Sequence, residues 1–107
     1  MQNPVLDKTI EFADNRISLF AAQYGRCAVT GIDLMPHDIR CHHKVPLENG
    51  GTDEYGNLVL VTEAVHILIH ATLGETIQKY LNELQLNKKQ LEKLNRLRKL
   101  AGTSVIA

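Results

Sequence analysis

The chain has 107 residues, enough for one modest core and too short for two, and it is 44% apolar and only 5% aromatic with no Trp. Such a core must come from Leu, Ile, Val and Ala, which favours helices over a large sheet. Twelve Lys/Arg balance twelve Asp/Glu, so the chain lacks the overall basic excess that phosphate binding ordinarily leaves.

No apolar run reaches the roughly 18 to 20 residues of a membrane span, and Met1 is not followed by a basic start and an apolar stretch like a secretory leader. A soluble, intracellular domain with no membrane partner is expected. Cys27 and Cys41 are too few for a disulfide framework; spacing alone leaves one bridge open, but both are read as reduced and buried. The neutral charge is unevenly spread, since residues 88 to 107 carry six Lys/Arg (Lys88, Lys89, Lys93, Arg96, Arg98, Lys99) against Glu92 alone.

Asn3-Pro4 is one helix start and Asp14-Asn15 a second, which leaves residues 1–14 as a strap or interdomain connection. Ile17, Phe20, Ala21 and Tyr24 recur at helical spacing over 16–24, with Gly25 placed to end the helix. Ile39 to Val45 reads as a strand stopped by Pro46, and Leu58 to Val61 as the second arm of a hairpin. The polar connection from Leu47 to Gly56 is long for a hairpin, the kind of loop that positions something.

Thr62 caps a helix expected over 63–73, ended by Gly74. Two more helices are expected, over 75–86 and 88–100, the latter opened by Asn87 with Gln90 three residues on and closed by Gly102. Leu91, Leu94, Leu97 and Leu100 should face the domain, with the Lys/Arg residues facing out. The expected fold is therefore α+β and mostly helical, a β-hairpin plus helix flanked by an N-terminal helix and two C-terminal helices.

Four of the five histidines fall in order within this hairpin and helix: His42-His43, then, after Asn57, His66 and His70. Neighbours on a strand point to opposite faces, so His42 and His43 cannot do the same job. His66 and His70 are four apart and share a helix face, the spacing by which two imidazoles bind one metal. His37 lies outside this set, in a turn, and is read as solvated.

Arg40-Cys41-His42-His43-Lys44-Val45-Pro46, Gly50-Gly51, Asn57-Leu58 and Val65-His66-Ile67-Leu68-Ile69-His70 together resemble the ββα-metal motif of HNH endonucleases, over about residues 26–71. The resemblance implies a metal-dependent nuclease domain over 15–107, with a C-terminal helical extension over 75–101. It makes His42, His66 and His70 metal ligands, His43 the general base, and Asn57 the residue that fixes the loop. An imidazole titrating near neutrality can take a proton from water, while a metal steadies the phosphate and the departing 3′ oxygen.

One divalent ion is implied, Mg²⁺ or Mn²⁺ in function, although Zn²⁺ or Ni²⁺ suits the imidazoles by softness. Many relatives also carry two C-x-x-C knuckles for a structural zinc; Cys27-Ala28-Val29-Thr30 and Thr62-Glu63-Ala64-Val65 stand in their places here, so no structural zinc is expected. Candidate DNA contacts are Arg40, Lys44 and Tyr55 near the motif and Lys88 and Lys89 on the basic C-terminal helix, although exposed residues of these types are ordinarily plain surface.

A narrower resemblance runs through Asp14-Asn15-Arg16-Ile17-Ser18, Gly25 to Gly31, Gly50 to Tyr55 and the tail from Lys88 to Gly102. These segments look like the C-terminal endonuclease domain of bacterial group II intron reverse transcriptase/maturases. That resemblance implies a cytoplasmic bacterial protein that nicks double-stranded DNA, with intron RNA and parent reverse-transcriptase domains as partners. The alternatives are a free-standing HNH nuclease, a non-catalytic HNH-like DNA- or protein-binding module and, least expected, a purely structural zinc module.

Overall fold

Helix α1 runs from Pro4 to Ala22 in the computed structural model, which describes residues 4–106 and their side chains from residue 10 onward. Asn3 and the first residues of the expected strap lie outside the described residues. The helix passes through Asp14-Asn15 without a break, so these residues start nothing. Asn15 spends its amide on a tertiary bond instead, donating from Nδ2 to the carbonyl of Asp53 at 2.8 Å.

The end of α1 is where the sequence places it. Tyr24 and Gly25 both take positive φ, 56° and 66°, and the Gly25 N–H returns to the Phe20 carbonyl at 2.8 Å. A β-carbon at Gly25 would sit 2.9 Å from the Phe20 ring, so the glycine serves both the turn and the close approach. A tight turn then brings Arg26 opposite Asp33 and buries Cys27 and Val29 in the core.

Strands β1 (Arg40–His43) and β2 (Leu58–Val61) pair antiparallel, with Arg40 opposite Val61 and His43 opposite Leu58. β1 is shorter than its apolar pattern suggests. Its ladder gives way at Val45, whose N–H is taken by the Asn57 side chain. The far edge of β2 is closed by Gln23, whose amide both donates to and accepts from the Leu60 backbone at 3.0 Å. Gln23, with the Ala28 N–H that also donates to the Leu60 carbonyl at 3.1 Å, thus occupies the edge at Leu60 where a third strand would otherwise pair.

Helix α2 (Glu63–His70) starts as expected, with Thr62 Oγ1 accepting from the Val65 N–H. It stops at His70 rather than running on to Gly74, because Ala71 turns extended at ψ 137°. The carbonyls freed there, of Leu68 and Ala71, accept from the buried Arg98 guanidinium, which also donates to Ser104. Gly74 instead opens helix α3 (Gly74–Leu84), which ends two residues early at a left-handed Gln85. Helix α4 (Lys88–Leu100) has the expected bounds and a complete capping box between Asn87 and Gln90.

The hairpin lies between α1 on one side and α2 on the other, with α3 and α4 packed behind α2. All four residues of β2 are buried, as are Val65, Leu68, Ile69, Leu94 and Leu97. The molecule is α+β and mostly helical. Two details of α4 depart from its leucine stripe: Leu100 is exposed, and Arg98 points inward at 2% exposure.

Candidate metal centre and its neighbours

His42 comes from the middle of the hairpin, and its ring is turned towards α2. Its ring centroid lies 5.3 Å from that of His66 and 5.1 Å from that of His70, and the last two are 5.0 Å apart. One nitrogen from each of the three rings lies within 4.8 Å of the others, so the cluster can hold a metal ion. The helical spacing of four residues and the strand register together put the third imidazole against the pair.

His42 is 2% exposed and its Nε2 has no hydrogen-bond partner among the described residues. A buried polar atom left unpaired costs about 1–3 kcal/mol, and a ligand bond to a metal would satisfy it. Burial, reinforced by His66, His70 and His43, pushes the His42 pKa down to about 3. Burial first, then His70 and Arg40, also lower that of His66. Both rings are thus kept neutral, the form that ligates.

His43 points the other way. Its Nε2 lies 2.7 Å from Asp53 Oδ1, and its ring stacks on Phe12 of α1 with centroids 5.7 Å apart and planes 19° from parallel. In the neutral ring, the carboxylate partner favours the tautomer with the proton on Nε2 and the lone pair on Nδ1. Asp53 is buried, so this contact is shielded from solvent. Sequence reasoning passes over Asp53 because it sits in a polar run, ten residues from its partner, with no spacing that marks it.

Asn57 ties the long loop to itself. Its Oδ1 accepts from the Val45 N–H at 2.9 Å, while Nδ2 donates to the carbonyls of Val45 at 3.0 Å and Thr52 at 2.8 Å. A neutral amide is the one short side chain that can serve a donor and two acceptors in this way. The same loop needs Gly51, where a β-carbon would lie 1.8 Å from the Val45 carbonyl oxygen.

A cavity of about 440 Å³ opens over this arrangement, lined by His42, His43, His66 and His70 together with Cys41, Pro46, Leu47 and Glu48. The three-histidine cluster and the Asp53-held His43 therefore border one cavity. Glu48 and Leu47, which the sequence does not single out, form its loop wall. Burial above all pushes the Cys41 thiol up to about 11, Asp53 raising it further and Arg16 opposing, so the sulfur stays protonated and is a poor ligand.

Other candidates fall outside the cavity. Arg40 sits beside the cluster, 3.5 Å from Glu63 in a partly exposed ion pair. Lys44 is half-buried at the hairpin end, and Tyr55 is 45% exposed on the loop. Lys88 and Lys89 are exposed on the first turn of α4, whose Gln90 reaches the Thr30 carbonyl rather than the histidines. His37 is exposed. No family model, curated protein or solved structure matches this chain.

Proposed function

We propose that this chain is a metal-dependent DNA endonuclease domain of the HNH type that hydrolyses phosphodiester bonds. The observation that carries the reading is the division of adjacent histidines: His42 joins His66 and His70, while His43 is held by Asp53, and all four line one cavity. A structural metal site alone would give no reason for a second, carboxylate-held imidazole beside it.

In this reading His43 Nδ1 takes a proton from the attacking water. The water oxygen bonds to phosphorus, the bond to the 3′ oxygen breaks, and that oxygen leaves with a proton from solvent, giving a 5′-phosphate and a 3′-hydroxyl. A divalent ion held by His42, His66 and His70 would stabilise the charge on the phosphate and on the departing oxygen. Asp53 keeps the imidazole in the tautomer with Nδ1 free, and Asn57 holds the loop that carries Asp53.

Three neutral imidazoles suit Mn²⁺, Zn²⁺ or Ni²⁺ better than Mg²⁺, which prefers oxygen donors. The working ion is read as Mn²⁺ or Mg²⁺, and a metal series decides between them. A net charge of zero is compatible with a nicking module of a group II intron reverse transcriptase/maturase, in which RNA and neighbouring domains would choose the target.

Nicking of supercoiled plasmid across that metal series tests the proposal. His43→Ala should lower the rate by about 10²-fold or more while leaving metal affinity unchanged, and His42→Ala and His66→Ala should lose metal and activity together. Cleavage by His43→Ala at the wild-type rate would remove the proposed base. Intact DNA binding without cleavage in any divalent metal would favour a docking module instead.

A further inference from the structure

The sequence expects the chain before residue 15 to be a strap, yet two α1 residues around that boundary reach the His43 side of the site. Phe12 and Asn15 are three apart and share one face of α1. Phe12 is offset-stacked with the His43 ring, centroids 5.7 Å apart. Asn15 Nδ2 donates to the backbone carbonyl of Asp53, whose carboxylate holds the edge of the same ring. Arg16 lies over the other partner of the stack, 5.9 Å from the Phe12 centroid.

The imidazole is therefore fixed in two independent directions. Asp53 restrains the rotation of the ring in its own plane by holding Nε2, and Phe12, offset-stacked at 19° from parallel, restrains the tilt of that plane from one side. Asn57 binds the loop to itself at Val45 and Thr52, whereas Asn15 joins the loop to a helix 38 residues away in sequence. Asn15 is thus a tie between the loop and α1 that the Asn57 bonds do not supply.

We infer that α1 is a positioning element of the active centre, with Phe12 and Asn15 acting through His43 and Asp53 to aim the general base. The inference rests on the nuclease reading for its catalytic consequence, and on geometry alone for its structural one. The metal cluster is a clean internal control, because His42 leaves the hairpin on the α2 side and has no contact with this face of α1 among the stacking and hydrogen-bond partners described.

Phe12→Leu keeps apolar bulk and removes the stacking ring, Phe12→Tyr restores a ring, and Asn15→Ala removes the tie to the loop. Plasmid nicking should fall about ten-fold or more in kcat for Phe12→Leu and for Asn15→Ala, with KM and Mn²⁺ affinity at wild-type values, and should recover in Phe12→Tyr; small misplacements of a reacting group have effects of this order. In parallel, ¹⁵N NMR of the histidine rings at one mildly alkaline pH should show the His43 Nε2 proton held in the wild type and exchanging faster in Phe12→Leu and Asn15→Ala.

Wild-type kcat in both variants, beside an inactive His43→Ala, overturns the inference and leaves the nuclease standing. A wild-type protein that cuts in no metal, or a His43→Ala that cuts normally, sinks the nuclease reading. The ring spectra then still judge the positioning, and an Nε2 proton equally protected in all variants overturns it. Loss of Mn²⁺ affinity in step with kcat would also overturn it, because that marks a general loss of structure.

Discussion

A β-carbon at position 51 would sit 1.8 Å from the Val45 carbonyl oxygen and 2.8 Å from that of Pro46, a clash with backbone that no side-chain rotation relieves. Gly51 is needed for space, since its φ is not in the left-handed region, while Gly50 beside it is needed for its φ of 92°. At Gly56 a β-carbon meets nothing within 4 Å. Gly51→Ala should therefore lose about 1–3 kcal/mol in urea unfolding, with nicking reduced as the loop shifts, and Gly56→Ala should stay within about 0.5 kcal/mol of wild type. Equal stability of the two variants would show that the loop is free to move away from Val45. Asn57 is legible through its place in the resemblance to the HNH motif, and its side chain binds the two ends of one loop. Asp53, Phe12 and Gln23 are not, since each finds its partner through the folded structure and leaves no periodic trace.

Among the elements, α2 carries two of the three clustered imidazoles and is only eight residues long, too short to hold itself. Thr62 and the N–H of Glu63, bonded to Asp38 Oδ1, secure its start. Its end depends on Arg98 of α4, which donates to Leu68 and Ala71. The planar guanidinium serves several carbonyls at once, which an ammonium on a flexible stem does less well. Arg98→Met should cost about 2–4 kcal/mol through carbonyls left unpaired in a buried place, and Arg98→Lys should recover only part of it, as read from thermal and urea unfolding. Full recovery by lysine would mean that charge near the α2 carboxyl end, and not the fork of donors, is what matters. The start of α2 and both ends of α4 could be read because caps are local; the end of α2 could not, because its cap arrives from 27 to 30 residues downstream. The α1 boundary fails for the reverse reason. Asn15 looks like a helix cap by type, and the fold uses its amide elsewhere.

For the molecule as a whole, the histidine cluster sets the capacity to hold a metal against stability. His42 is buried with Nε2 unpaired, and its pKa in the folded chain lies near 3 against 6.5 for the free side chain. Between those values the unfolded chain binds a proton that the folded chain refuses, so the metal-free protein loses stability as pH falls from about 6.5 towards 3, and is indifferent to this group above 6.5. The lowered His66 acts in the same direction. Metal at a hundred times its dissociation constant should raise stability by about 2.7 kcal/mol, and acid should remove that gain because protons compete for the same nitrogens. His42→Leu separates the two effects. In the metal-free chain it should raise stability by about 1 kcal/mol by replacing an unpaired polar atom with apolar bulk, and it should flatten the acid slope. With metal present it should forfeit most of the stabilisation that wild type gains. Thermal unfolding with and without Mn²⁺, at neutral and mildly acidic pH, reads all three. A variant that is less stable without metal and still gains the wild-type increment with it would make His42 a core residue, and would leave the metal to ligands other than His42.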